Sequence, residues 1–417
     1  MIAFLRKHTW VFIVICAVAV FPQALTTQAV LNMRILVTGV AIDKKEDSFY
    51  VTAQVIRPQA GSVGGGEGAK VGFVEAEGPT LATAMQKIGY KVGKTVGFSQ
   101  LNFIMIGESV AQENLLLELD YLYRDITINP AVMLLLCDGE AKESIQKTEK
   151  LELDIAFGLQ KAFIYKQSAL NGIATPIRDV YNEYFNPSQS TLISYIMFED
   201  KTNSASSGQT GGGGSSGGEG GASSGASSQA DEKNVEIMYF NPIGIVKNGT
   251  VVGKIEDVNA IMGVLLANKK TYEGVLYLQD VEGENGETGD VSIFVREKKY
   301  STRAYFSNGK PVFEMNISMD KVLVKEISTE KVFQESYLSF VSYITNNLTN
   351  VIQNEIKMRI EKALEEGKAY DADIFQMANT FYAYHPKEWE AYIKQNSFTH
   401  FLNNVEVKIN VTIRSTN

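Results

Sequence analysis

Apolar positions along this chain recur with two periods, and the switch between them marks its elements. Met33 to Ile42 and Phe49 to Arg57 are rich in β-branched residues and read as strands joined by the polar turn Lys44-Lys45-Glu46-Asp47. Thr80 to Tyr90 has helical spacing, with Pro79 pre-setting φ at its start. Leu101 to Ile106 alternates like a strand. Glu108 to Tyr123 reads as one helix with Leu115, Leu119 and Leu122 on a shared face. Val132 to Cys137 is a wholly apolar strand, and Ala141 to Lys147 starts another helix. Strands and helices alternate, which predicts a mixed sheet covered by helices.

The second half repeats the mixture in another order. Ile243 to Val246 and Val251 to Val252 flank Asn248-Gly249, a hairpin signal. Ile255 to Leu266 reads as a helix, followed by strands over Thr271 to Leu278, Val291 to Val295 and Val312 to Ile327. Tyr337 to Leu364 is a long helix with Val341, Ile344, Leu348, Ile352, Ile356, Ile360 and Leu364 on one stripe, the pattern of a core-facing surface. A helix over Ile374 to Tyr384 and an alternating strand over Val405 to Ile413 complete the chain. The fold class is α+β.

Two glycine-rich stretches interrupt these patterns. Gly61 to Gly68 reads as a mobile hairpin tip. Asn203 to Ala230 is almost entirely Gly, Ser and Ala, with Glu219 its one charge, and reads as a flexible tether. Treated as a coil it spans roughly 30 Å, room for the two halves to move relative to each other. No strand precedes it and no helix follows, so a phosphate-binding loop is excluded on context. The expected organisation is a signal peptide or signal anchor over 1–29, an N-terminal sheet-plus-helices domain over 30–200, a linker over 201–234 and a C-terminal α+β domain over 235–417. With 417 residues the chain suits two to three domains.

The first 29 residues have the form of an export signal: Arg6 and Lys7, then the apolar run Trp10 to Phe21 closed by Pro22, then the small-residue exit Thr27-Gln28-Ala29. The run is about half the ~20 residues that cross a bilayer, so cleavage near Ala29 is favoured over anchoring. Cys16 lies inside it, but Ile15 stands where a lipid-attachment cysteine has a small residue before it.

Beyond residue 29 the chain carries 37 basic and 48 acidic residues, a net charge of −11. That balance argues against nucleic acid and against broad adhesion to anionic lipid. Cys137 is then the sole cysteine, so no internal disulfide is possible, and its apolar neighbours place it in the core. Only His385 and His400 remain, without metal-ligand spacing. No Gly-x-Ser-x-Gly elbow occurs. The carboxylate pairs Glu365-Glu366 and Asp371-Asp373 read as solvated charge. The acidic, glycine-rich run Asp280 to Glu287 lacks calcium-loop spacing. Asn-x-Ser/Thr matches at Asn248, Asn316, Asn347 and Asn410 read as chance. Catalytic, cofactor-binding and metal-binding residues are all expected to be absent.

Four blocks resemble one known family. They are Gly39-Val40-Ala41-Ile42-Asp43; then Glu77-Gly78-Pro79-Thr80-Leu81, Phe98-Ser99-Gln100-Leu101, Ile106-Gly107-Glu108 and Tyr123-Arg124-Asp125; then Gly244 to Gly253; then Asp373-Ile374-Phe375, His385-Pro386-Lys387-Glu388-Trp389, Val405 to Ile409 and Arg414. In order and spacing they are similar to the C-subunit family of bacterial spore germinant receptors, Ger(x)C (GerAC-like). The chain departs from the family at Gln100, at Gln376-Met377-Ala378, in its long tether and in lacking a convincing lipid-attachment site.

The resemblance implies a non-enzymatic, exported subunit at the outer face of the spore inner membrane, and, because family members have three mixed α/β domains, a further division of the C-terminal domain near residue 300. It implies partners, the multi-pass A- and B-type membrane subunits, and small nutrients as the stimulus, with no cofactor. Attachment to the membrane would come from those partners, from an uncleaved signal or from irregular processing at Cys16. One alternative is a secreted or membrane-associated binding protein for solutes or cell-wall material, unrelated to germination, although no repeat of two similar lobes is visible. A third reading is an exported hydrolase, which a pocket lined by convergent carboxylates with raised pKa would favour.

Overall fold

A computed structural model describes residues 34–57, 70–148, 172–199, 237–267, 274–284, 286, 288–328 and 334–415. The segment 1–29 with Cys16, the glycine tract 61–68 and the tether 201–234 lie outside the described residues.

The first unit is built on one mixed sheet. Strands β1 (Arg34–Lys45), β2 (Ser48–Arg57) and β3 (Lys70–Gly78) form an antiparallel meander, and Glu46 takes the left-handed φ of 52° that the β1–β2 turn requires. Helix α1 (Leu81–Val92) starts at an N-cap, with Thr80 Oγ1 accepting from Thr83 N–H, and ends at Gly93 with φ 66°. Then follow β4 (Thr95–Gly97), β5 (Phe103–Ile106), the short helices α2 (Glu108–Ala111), α3 (Leu115–Glu118) and α4 (Asp120–Arg124), β6 (Met133–Cys137) and α5 (Ala141–Lys147). Strand β7 (Thr175–Pro176), helix α6 (Ile177–Phe185) and β8 (Ser190–Glu199) complete this stretch.

β5 and β6 lie parallel in the middle of the sheet and are covered on both faces, which is why Val132 to Cys137 reads as an unbroken apolar run and why β5, read as alternating, has all four residues buried. Ile104, Ile106, Leu134 and Leu136 face the core under α1, whereas Phe103, Met105, Leu135 and Cys137 face Ile145 of α5.

The stretch read as one helix, Glu108 to Tyr123, is three short ones. Asn114 caps α3, its side chain accepting from Leu116 N–H, and the Leu115 amide donates to Gly249 O at 2.7 Å. That tertiary bond takes an amide a continuous helix would need. Leu115, Leu119 and Leu122 are nonetheless all buried, as their spacing predicts.

The sheet continues past the glycine-rich stretch. Strand β9 (Ile237–Tyr239) pairs with β8, and so does β10 (Ile243–Lys247), whose hairpin partner β11 (Thr250–Ile255) forms the sheet edge. The strand order is β11-β10-β8-β6-β5-β1-β2-β3. The expectation that 203–230 lets two halves move some 30 Å apart is therefore corrected, because ladders join β8 to the strands on its far side. Helix α7 (Val258–Leu266) begins three residues later than the periodicity suggests, since Ile255 ends β11; Asp257 caps it by accepting from Asn259 and Ala260 N–H.

The second unit is a four-stranded sheet of β12 (Gly274–Glu282), β13 (Thr288–Ser307) and β14 (Lys310–Ser328), closed by the parallel strand β15 (Glu406–Ser415). Helices α8 (Gln334–Ala369), α9 (Met377–Tyr384), α10 (Pro386–Gln395) and α11 (Phe398–Asn404) cover it. Ile344, Ile352, Ile356 and Ile360 of α8 are fully buried on the sheet, so the sequence stripe is core.

β13 runs far beyond its apolar signature, Val291 to Val295, because Glu297-Lys298-Lys299 hides the strand. Lys298 points inward and is 1% exposed, its Nζ donating to Leu265 O and Leu266 O at 3.2 and 2.9 Å, the carbonyl end of α7. The ladder with β14 runs straight through Tyr300. α7 and α8 cross so closely that a Cβ on Gly263 would meet Arg359 O at 2.1 Å.

Candidate functional site

The two units meet along one seam, and two of the sequence blocks singled out above, Gly244 to Gly253 and Asp373-Ile374-Phe375, lie on it. Asp373, from the Asp373-Ile374-Phe375 block, is fully buried in the turn before α9. Its Oδ1 accepts from Met377 N–H at 2.9 Å and its Oδ2 from Ala378 N–H at 2.8 Å, so one carboxyl spans the start of the helix. Its own N–H donates to Ser190 Oγ of β8 at 3.3 Å. Burial pushes the carboxyl up to about 6, against the opposing pull of the backbone amides. Reading Asp371-Asp373 as a solvated pair is thus corrected. Asp371 forms an ion pair with Lys247 Nζ of β10 at 2.6 Å, while Asp373 is a structural cap.

Asn379, in the first turn of α9, makes a second cross-unit clamp. Its Oδ1 accepts from Ser188 N–H at 2.9 Å and its Nδ2 donates to Glu183 Oε2 of α6 at 2.6 Å. Ser188 Oγ also donates to that Glu183 oxygen at 3.3 Å. Burial raises the Glu183 carboxyl above its ordinary value, while the donors from Asn379, Asn186 and Ser188 pull the other way. A shared apolar cluster backs both clamps: Leu192 and Ile243 of the first sheet meet Ala363 of α8 and Ile374.

Beside this clamp lies a cleft of about 610 Å³. Asp179 and Glu183 of α6 with Thr175 and Thr191 form one wall, and Tyr300, Thr302, Asn379 and Tyr384 form the other. Both walls are needed to make it. Nothing in either half of the sequence shows it, because its residues lie on both sides of the tether.

The other Asp block behaves like Asp373. Asp43, near the end of β1, is buried and its Oδ1 and Oδ2 accept from Ala141 and Lys142 N–H at 2.7 and 2.9 Å, capping α5. Burial raises its carboxyl despite those bonds. Gly107 leaves room for it, since a Cβ there would sit 2.0 Å from Asp43 Oδ1. In the last block Pro386 opens α10, and Trp389 packs among Phe381 and Phe401 with ring centroids 5.9 and 4.8 Å away. The shared blocks therefore carry helix caps and core contacts.

The remaining candidate chemistry is dispersed. Cys137 is buried beneath α5, its thiol pushed up to about 12 by burial. His385 Nδ1 faces Glu388 at 3.4 Å, and His400 is elsewhere on α11. Among the described residues, no three metal-ligating side chains cluster, and no helix is long and apolar enough to cross a membrane.

Comparison with known proteins matches both halves. Residues 27–197 match the domain described as "Spore germination protein N-terminal domain", and residues 243–417 match "Spore germination B3/ GerAC like, C-terminal". Spore germination protein KC of Bacillus subtilis (strain 168) is 23% identical over 396 residues, covering 92% of this chain and 89% of that protein. The crystal structure of the GerBC protein aligns over 91% of this chain and 97% of that one, at 16% identity and a TM-score of 0.49.

Proposed function

This chain belongs to the GerAC-like family of spore germination proteins, germinant-receptor C subunits and not enzymes, and from that premise we propose how it works. It acts as an exported, non-catalytic subunit of a nutrient-germinant receptor. Its place is the outer face of the spore inner membrane, beside multi-pass A- and B-type subunits. What carries this reading is collinearity: both family domains match in order, one on each side of the tether, and similarity to a germination protein extends over 92% of the chain.

The seam supplies a physical means of signalling. Two units held by a few buried polar clamps can settle in two relative arrangements, and a stimulus that favours one shifts the population. Membrane attachment comes from the partner subunits, with the signal removed near Ala29; Cys16→Ala with spore fractionation tests this, and release from the membrane would contradict it. For the function itself, the gene is deleted in a strain lacking redundant receptors, and nutrient-triggered germination of purified spores is followed by loss of optical density. Loss of response to at least one nutrient, restored by the gene in trans, is expected. Wild-type germination to every nutrient would refute the assignment.

A further inference from the structure

The cleft at the seam has a chemistry that selects among ligands. At about 610 Å³ it falls within the range of small-molecule sites, and such sites favour the junction of two structural units. Its two charged lining residues are Asp179 and Glu183, both acidic, and among the described residues no Lys, Arg or His lines it. Glu183 is the anchor: Asn379 Nδ2 and Ser188 Oγ fix its Oε2, so the carboxylate has a set orientation before any ligand arrives. A carboxylate offers about four acceptor positions, and neutral amide and hydroxyl donors leave its charge uncompensated. Asp179 differs, being half-exposed and paired with Arg178 at 3.2 Å, so that its charge is largely offset.

The rest of the lining is apolar or neutral. Leu192, Val264, Ile374 and Phe375 give it an aliphatic and aromatic floor, and the rings of Tyr300 and Tyr384 stand at its sides. Aromatic faces attract cations and carry apolar bodies equally well. A carboxylate-bearing ligand would meet the Glu183 carboxylate, with no cation among the described lining residues. A free zwitterion would bring one group that fits and one that does not.

We infer that this cleft is a binding site for a small organic ammonium ion with an apolar body, its charged nitrogen on Glu183 and its hydrocarbon on the Ile374–Phe375 floor. The inference stands on the cleft and does not need the receptor role. Because Glu183 and Thr191 come from one unit and Tyr300 and Asn379 from the other, a bound ammonium ion would favour the closed arrangement of the seam.

Calorimetric titration of the full chain with isoamylammonium, isoamyl alcohol, 4-methylpentanoate and leucine tests it. One saturable site for isoamylammonium is expected, at least about tenfold tighter than for the other three. Glu183→Gln keeps the shape and the clamp to Asn379 but removes the charge, and is expected to weaken isoamylammonium by about tenfold or more. Asp179→Asn, at a half-exposed position, is expected to give a smaller loss with an unchanged unfolding midpoint. Equal binding of the alcohol or the carboxylate overturns the inference. So does unchanged ammonium binding in both variants, or no saturable ammonium binding at tens of millimolar. Failure here with germination lost in the deletion strain would remove the site and leave the receptor reading standing.

Discussion

Asp373 sets two strong effects against each other, and its titration shows which prevails. Full burial disfavours the ionised carboxyl, while two amide donors at a helix N-terminus favour it. Burial wins, lifting the folded-state value from 3.8 to about 6. The folded chain thus keeps its proton at a pH where the unfolded chain has lost it. The resulting stabilisation is fully present below the unfolded value and is lost as pH rises through the folded one. A rise of that size amounts to about 3 kcal/mol, of which roughly half is recovered on going from pH 7.5 to 5. Asp373→Asn abolishes this share, because its side chain does not titrate. It adds a pH-independent cost of ~1–3 kcal/mol, since the new NH₂ faces a backbone donor. Urea unfolding followed by Trp389 fluorescence, for both proteins at pH 5 and 7.5, isolates the effect; Trp389 is buried in the same unit. Wild type should gain more stability than the variant on acidification. An equal gain would mean the amides cancel burial, and a smaller gain would mean they dominate; either refutes the reasoning.

Two further outcomes follow from packing. Gly263→Ala puts a methyl 2.1 Å from the Arg359 carbonyl, a backbone atom that cannot swing aside, so the α7–α8 crossing must open. A loss of ~1–3 kcal/mol in urea unfolding is expected, and a change under about 0.5 kcal/mol would show the helices are not held so close. In a Cys16→Ser chain, Cys137 should resist a thiol reagent until urea unfolds the first unit, because burial lifts its thiol to about 12; prompt labelling of the native chain would contradict its place under α5.

The long elements were legible and the joints were not. The stripe from Ile344 to Ile360 identifies α8 because one helical face is buried along nearly its whole length. Asn248-Gly249 identifies the β10–β11 hairpin, since the turn needs positive φ at both residues, and they have 51° and 82°. That β10 lies against β8 is not legible, because a hairpin signal is local and its neighbour is chosen by the rest of the sheet. The break between α2 and α3 likewise depends on Gly249, far along the chain. The seam was half visible: the sequence marked Asp373 as noteworthy. Its burial, and the pairing of Glu183 with Asn379, depend on contacts across the tether that no periodicity encodes.

Glu199 and Ile237 are partners on one rung of the β8–β9 ladder, so two positions separated by 37 residues of sequence lie side by side in the sheet. A stretch whose ends are fixed in this way sets no distance in the molecule. Its length is close to thermodynamically neutral, since doubling a closed loop costs only about 0.6 kcal/mol. Related sequences are therefore free to vary there without disturbing either unit. It is also the natural position for an inserted tag or a split protein, because two fragments ending at Glu199 and starting at Ile237 keep the β8–β10 ladder and the Glu183–Asn379 bond to bring them back together.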